Sequence, residues 1–339
     1  MTISVIKGGL LTTLQDAGRV GHAALGVGTA GPMDEVAFRL ANALVGNASD
    51  ATALEITLIG PHLRFDIDAV IAMTGAEFDA LLNDEPLRAW RPLPVAAGCV
   101  LDCGRARRGA RAYLAVAGGF MATAVLGSTA TDVNARLGLF DGRPLRSGDT
   151  LSASAGMPAD PMLLRSRKRA SGLPALAQGS AMTSWSLDPR PWFDPDPSQP
   201  IHLLRGTHFD VLDDRSRAAL FAEDFRISAD SNRVGFRLDG PRLALAQPLE
   251  LISEAVAFGT VQLPASGQPI ALMAEHPTTG GYPRIGQITA IDLSRLAQRR
   301  PGERVRFAEI GLDDAQTRYL ARERELAHLI DAIAQRLAG

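Results

Sequence analysis

Apolar and polar positions alternate with period two along much of this chain, in short runs broken by Gly, Pro and Asp. The segments "ALEITL", "HLRFDI", "AVIAMTG", "RAYLAVAG", "IHLLRG", "LELISEAV", "TVQLP", "IALMA" and "RVRFAEI" read as strands. Helical spacing is confined to two places. In "PMDEVAFRLANALVGN", Pro32 suits a first turn and Asp34 favours the positive end of a helix dipole. Ala37, Leu40, Ala41 and Leu44 then share a face before Gly46 stops the helix. A second helix is predicted from about Asp313 or Asp314, with Tyr319, Leu326, Ile330, Ile333 and Leu337 as one apolar stripe opposite a charged face. The pattern predicts a mainly β protein with few helices.

A length of 339 residues suggests two domains, each able to bury a core. Between Pro158 and Pro200 the composition turns to Ser, Pro, Arg and Asp, which buries little and predicts a linker or insertion at about 158–200. The boundary is placed near residue 197, giving domains over 1–196 and 197–339. "GRVGHAALG" and "NRVGFRLDG" each lead to a Gly-Pro, which fits two related β domains. "AYLAVAGGFMATAVLGSTAT", from Ala112 to Thr131, is uncharged for about the length of a bilayer span. Gly118 and Gly119 divide it, so a strand, a turn and a second apolar segment are expected rather than a membrane span. The opening "MTISVIKGGLLTTLQD" has neither the apolar run nor the cleavage site of a signal peptide.

Composition narrows the function. A formal charge of −2 gives no electrostatic footprint for nucleic acid. Cys99 and Cys103, in "CVLDC", fall on one strand face of an alternating run, and no second ligand pair at short spacing accompanies them, so no zinc site is expected. Reduced thiols fit a cytoplasmic protein. Lys7 and Lys168 are the only lysines among 35 basic residues, which excludes a Walker A loop and leaves no lysine in a biotin-carrying "MKM".

Four polar, glycine-rich segments stand out. "GLLTTLQDAGRVGHAALGVGTAGPMD" holds Gln15, Asp16, Arg19 and Asp34. "LEITLIGP" carries Glu55 in an apolar strand, where an unpaired carboxylate is expensive to bury and so needs a partner or a task. "SADSNRVGFRLDG" offers Ser231, Asn232 and Arg233. "EHPTTGGYPRIGQI", preceded by a segment with Gln262, offers His276, Thr278, Thr279, Gly280, Gly281, Tyr282 and Arg284. Its two glycines are open to two readings, a hairpin turn or a nest of main-chain N–H donors for a ligand. "GVGTAG", Gly26 to Gly31, matches a dinucleotide fingerprint before a helix, but no clear strand leads into it. No nucleophile elbow or zinc-protease motif is present.

Taken in order, "GLLTTLQDAGRVGHAALGV", "AGPMDEVAFRLANALVGN", "ALEITLIGPHLRF", "YLAVAGGF", "SNRVGFRLDG" and "TTGGYPRIG" resemble the C component of bacterial ATP-dependent 5-oxoprolinase (the KipA or PxpC family), which is related to the carboxyltransferase part of biotin-dependent urea carboxylase. The resemblance implies two cyclophilin-like β-barrel domains and a cytoplasmic protein working with a KipI-like B component and an A component. It implies ATP, shared with those partners and accompanied by Mg, and activation of 5-oxo-L-proline by phosphorylation before ring opening to glutamate. Phosphoryl transfer wants positive charge and N–H donors around developing charge. Arg19, Arg233 and Arg284 are candidates for the charge and Thr278 to Gly281 for the donors, while Asp16, Asp34 or Glu55 would hold a metal ion or orient the amide. The family has glutamine directly before the two threonines; here Pro277 stands there, without amide side chain or backbone N–H. Two alternatives stay open: a carboxyltransferase taking its carboxyl group from biotin on another chain, and a non-catalytic protein that binds a KipI-like partner.

Overall fold

The computed structural model describes residues 2–154 and 185–338. The basic run "RSRKRASGLPALAQGS" and most of the expected linker or insertion at 158–200 lie outside the described residues. Two compact units are present. One is built from the described residues within 1–18, 34–194 and 326–339, the other from 19–33 and 195–325. Each is therefore assembled from stretches that are not contiguous in sequence.

In the first unit, a seven-stranded antiparallel sheet has the spatial order Phe120–Met121, Thr150–Ala153, Thr2–Lys7, His62–Phe65, Val100–Asp102, Leu81–Leu82, Glu85–Pro86. A five-stranded sheet has the order Leu11–Gln15, Ala53–Thr57, Ala106–Val116, Ala69–Phe78, Leu93–Val95. Strand alternation explains its two faces. Leu14, Leu54, Leu114 and Met73 lie directly opposite one another across four strands and join Ile3, Val5, Leu63, Phe65 and Leu101 of the other sheet in one core. The neighbouring row, Thr13, Glu55, Tyr113 and Thr74, faces the opposite way and is also buried.

Helix α1 (Glu35–Leu44) covers that second face. Its start is fixed by Asp34, whose Oδ1 accepts the Ala37 N–H at 3.1 Å, and the chain turns away through Gly46 at φ +75°. Ala37, Leu40, Ala41 and Leu44 are buried as their spacing predicts. Trp90, Trp185, Trp192 and Phe193 complete this cluster. Ala112 to Thr131 contributes a strand, a turn and a short second strand, and no helix among the described residues is long and apolar enough to cross a membrane.

The second unit is an eight-stranded, nearly closed barrel. Its order is Arg304–Val305, Phe225–Ile227, Gly235–Asp239, Ile270–Leu272, Thr260–Gln262, Arg284–Ile288, Ile201–Arg205, Phe307–Glu309. The two outermost strands are separated in sequence by Arg306 alone, so the sheet must curl until its edges meet. Inside lie Ile201, Leu203, Phe225, Phe236, Leu238, Val261, Ile285 and Phe307. A separate two-residue ribbon, Glu254–Ala255 against Thr279–Gly280, sits apart from the barrel sheet.

The mainly β class expected from the sequence is the one adopted, with three local differences. Helices α2 (Asp214–Ala222) and α3 (Ala290–Ala297) carry no clear signal in the pattern. The first is short and mostly polar, held by an Asp213 cap on Ser216 N–H at 2.7 Å. The second follows the strand Arg284–Ile288 with only Thr289 between, so one apolar run serves both periods. "LELISEAV" is strand only at Glu254–Ala255, because Leu249 and Ile252 point outward at 37% and 90% exposure and have no core to face. In helix α4 (Leu312–Ala338), Leu326, Ile333 and Leu337 are buried in the first unit, whereas Tyr319 is 44% exposed and leaves the expected stripe.

Candidate functional site

The candidate residues are divided between the two units. In the first, Glu55 is buried opposite Tyr113 on the adjacent strand and accepts its phenolic O–H at 2.7 Å. Tyr113 Oη in turn accepts the Asp34 N–H at 2.8 Å, and Arg111 Nε lies 3.8 Å from the other Glu55 oxygen. Burial pushes the Tyr113 phenol well above its ordinary value, and the neighbouring Glu55 and Asp34 charges push the same way. A neutral phenol has one hydrogen to donate. Because Glu55 takes it, the oxygen lone pair is left for Asp34. Glu55 thus orients Tyr113, Tyr113 holds the backbone of Asp34, and Asp34 caps α1.

Asp16 is fully engaged by donors. Its carboxylate accepts Ser128 Oγ at 2.6 Å, Thr129 N at 2.6 Å, Thr129 Oγ1 at 3.0 Å and Gly18 N at 2.9 Å. Gln15 is completely buried and donates Nε2 to Thr13 Oγ1 and to the Thr131 carbonyl, each at 3.0 Å. Both residues bind the 128–131 segment to the sheet.

The second unit contains Arg19, Ser231, Asn232, Arg233, Gln262 and the 275–284 segment, of which Arg233 reaches Glu275 and Arg284 pairs with Gln262 across the strands. Arg233 Nε donates to Glu275 Oε1 at 2.6 Å and Nη2 to the Gly31 carbonyl at 2.7 Å, with both charged side chains buried. The Glu275 N–H also returns to the Arg233 carbonyl at 2.8 Å. One guanidinium therefore ties the 19–33 segment to the start of the threonine-glycine loop. Arg19 is buried and its N–H closes the loop onto the Thr29 carbonyl at 2.7 Å. Ser231 and Asn232 close the turn before the strand, through Arg237 N–H to Ser231 Oγ at 3.1 Å and Val234 N–H to Asn232 Oδ1 at 2.8 Å.

The threonine-glycine loop is not a hairpin of left-handed glycines. Gly280 and Gly281 are absent from the positive-φ glycines, and Thr279–Gly280 pairs as a strand with Glu254–Ala255. Gly280 instead lies close over Gln262: a Cβ there would fall 2.3 Å from its Nε2, so a side chain at this position would require the amide to move. Arg284 lies directly opposite Gln262, pairs with Glu254 and donates Nη1 to the Ala255 carbonyl at 3.1 Å. His276 Nδ1 donates to the Pro277 carbonyl at 2.7 Å, and the Thr278 carbonyl accepts the Val256 N–H at 3.2 Å. Tyr282 is half exposed and, with Gly281 and Pro283, borders a cavity of about 750 Å³ whose other walls include Leu243, Leu245, Leu251, Leu263, Arg242 and Glu250. That volume lies within the range of small-molecule sites.

Glu55, Asp34 and Arg233 are legible in the sequence as residues but not in their roles. Tyr113 and Glu275 escape sequence reasoning altogether. The phenol hides in an apolar-looking run, and only its position opposite Glu55, two residues beyond Arg111, marks the polar face. A single 3-10 turn, Ala23–Leu25, leads directly into Gly26 to Gly31, and the preceding strand ends at Gln15, so the dinucleotide reading has no βα unit behind it. Among the described residues no group of three or more His, Cys, Asp or Glu side chains could hold a metal ion. Cys99 and Cys103 are both free, and burial pushes the Cys103 thiol far above its ordinary value.

Comparison with known proteins places these features in a family. Residues 25–309 match the carboxyltransferase domain, subdomains A and B. The chain is 36% identical over 303 residues to the 5-oxoprolinase C component of Haemophilus influenzae, covering 89% of each, and 37% identical over 314 residues to that of Escherichia coli, covering 92% of this chain and 93% of the other. Among solved structures, it resembles TTHA0988 with a TM-score of 0.75 at 32% identity, over 91% of this chain and 55% of that one. It also resembles Kluyveromyces lactis urea carboxylase with a TM-score of 0.81 at 28% identity, over 98% of this chain and 29% of that one. With a match across most of its length and two relatives above 30% identity aligned nearly end to end, the chain belongs to the carboxyltransferase subdomain A and B family that includes the C component of 5-oxoprolinase.

Proposed function

We propose that the chain is the C component (PxpC) of an ATP-dependent 5-oxoprolinase, acting in the cytoplasm with a KipI-like B component to activate 5-oxo-L-proline, after which an A component completes ring opening to L-glutamate. The observation that carries this reading is the alignment with two 5-oxoprolinase components over about nine-tenths of both partners. The cavity beside Tyr282, walled by Arg242 and Glu250 among apolar residues, is large enough for a small amide and supports the reading.

The three carboxylates expected to hold a metal ion each have a protein partner in the chain, Asp34 accepting the Ala37 N–H. Asp16 is engaged by Ser128 and Thr129 and Glu55 by Tyr113 and Arg111, and no cluster of potential ligands exists among the described residues. We propose that ATP is bound in the assembled complex and shared with the partner components.

Co-expression with homologues of the A and B components, each omitted in turn, tests the reading through ATP-dependent glutamate release from 5-oxoproline. Activity that needs all three chains is the expected result. A second reading, carboxyl transfer to a urea-like amide, draws support from the family description and from the match to urea carboxylase. A stable complex that leaves 5-oxoproline untouched but consumes urea with a biotin carrier and biotin carboxylase would favour it. A complex inert toward both would favour the regulatory, partner-binding reading.

A further inference from the structure

The most unusual polar group in the second unit is the side-chain amide of Gln262. It is 4% exposed, and among the described residues its Nε2 has no hydrogen-bond partner. A buried donor left unmade is costly, so such a group either meets water or awaits a ligand. Its surroundings favour the ligand. Gly280 passes over it so closely that a Cβ there would fall 2.3 Å from Nε2 and displace the amide, and Gly280 belongs to the two-residue ribbon Glu254–Ala255 with Thr279–Gly280. Thr279, Glu254 and Ala255 are exposed, and the ribbon is not part of the barrel sheet, so it can lift without breaking a barrel strand.

We infer that Gln262 reads the cis-amide edge of a bound lactam and that Arg284 reads a carboxylate on the same molecule. A primary amide presents an N–H donor beside a C=O acceptor. A lactam presents the complementary C=O and N–H on one edge, because its ring forces the amide cis. The two pair through two parallel hydrogen bonds. Arg284 is the partner of Gln262 on the neighbouring strand, just past an irregularity that skips Ile285, and both reach the ribbon: the Gln262 amide lies under Gly280 and the Arg284 guanidinium pairs with Glu254 and the Ala255 carbonyl. In the free protein its guanidinium pairs with Glu254 of the ribbon. A ligand carboxylate replaces Glu254 when the ribbon lifts, exchanging one anion for another at the same cation. The combination of amide and guanidinium thus selects a small lactam carrying a carboxylate over urea, which shares the cis-amide edge but has no anion.

This inference rests on the proposed 5-oxoprolinase reading for the identity of the lactam, but its test does not depend on turnover. Binding of 5-oxoproline, N-methyl-5-oxoproline, 2-pyrrolidinone and urea to the full chain, and to its complex with the B component, is measured by ligand-observed NMR and calorimetry. Methylation removes the lactam donor without touching the protein. The expected result is about tenfold weaker binding for N-methyl-5-oxoproline and for 2-pyrrolidinone than for 5-oxoproline, as the loss of about one hydrogen-bonded or charged contact implies. Gln262→Leu should abolish the discrimination against the N-methyl compound, and Arg284→Gln the preference for the carboxylate. Equal binding of methylated and unmethylated lactam to the wild-type chain, or no binding of any lactam to chain or complex, overturns the inference. If the complex turns over 5-oxoproline with the same KM in wild type and Gln262→Leu, the inference fails and the 5-oxoprolinase reading stands. If the complex is inactive yet lactam binding depends on Gln262, the reverse holds.

Discussion

At the scale of single residues, the buried row Thr13, Glu55, Tyr113, Thr74 shows how a strand can read as apolar and still carry a polar device. Removing the Tyr113 oxygen leaves the Glu55 carboxylate and the Asp34 N–H without their shared partner. Tyr113→Phe should therefore destabilise the protein by about 1–3 kcal/mol despite its matching shape, measured by urea denaturation. A result near zero would mean that water replaces the phenol. Asp149 gives a pH-dependent counterpart. Hydrogen bonds from Arg143 at 2.7 Å to both its oxygens hold its carboxyl below the usual range, with the Arg146 N–H assisting. A folded-state value below the unfolded one stabilises fully above about pH 4 and is lost as pH falls through the folded value. Asp149→Asn should thus lower the thermal midpoint at neutral pH, and the gap from wild type should close on acidification. A gap that stays constant to the acid limit would show that the pair contributes nothing through its charge. Sequence reasoning identifies Glu55 as needing a partner, because charge in an apolar strand is conspicuous. It does not find Tyr113, because strand register is a long-range fact, and the two residues are 58 positions apart.

Helices and ribbons form the next scale. Helix α1 is legible almost to the residue, since its cap, apolar face and terminating glycine are all local signals. Helices α2 and α3 are not, because short helices of 9 and 8 residues draw their stability from packing rather than from pattern. Helix α4 is legible in position, but its stripe reads as continuous when only Leu326, Ile333 and Leu337 are deeply buried. These three share a cluster with Trp90, Trp185 and Trp192, which are all the tryptophans of the chain. Truncation after Glu325 should accordingly red-shift tryptophan emission and lower the unfolding midpoint. Unchanged emission would place the helix outside the cluster that these contacts describe. The glycines of the threonine-glycine loop illustrate the limit of local reading: their spacing suggests backbone freedom, whereas what distinguishes Gly280 is its close approach to the amide of Gln262.

Over the whole molecule, the mainly β class follows from period-two alternation, while the assembly of each unit from separate stretches does not. Nothing in the composition of 19–33 assigns that segment to residues 195–325; the Arg233 to Gly31 contact does. Amide hydrogen exchange offers a test across the molecule. The central barrel strands Thr260–Gln262 and Arg284–Ile288 should be among the slowest to exchange in the second unit. The Val256 N–H beside the ribbon, held by the Thr278 carbonyl at 3.2 Å, should be among the fastest. Comparable protection at both would mean that the ribbon does not open independently.

The barrel seam carries one more consequence. Arg304 and Arg306 both reach Asp224 there, at 2.8 Å and 2.6 Å, so the interruption in the eight-stranded wall is lined by fixed charges. Exposed sheet edges invite strand addition by other chains, and charged edges deter it. This seam is thereby closed to recognition by β-augmentation, and a chain that binds the second unit there must do so through side chains and loops, with a selectivity that mutation can tune one contact at a time.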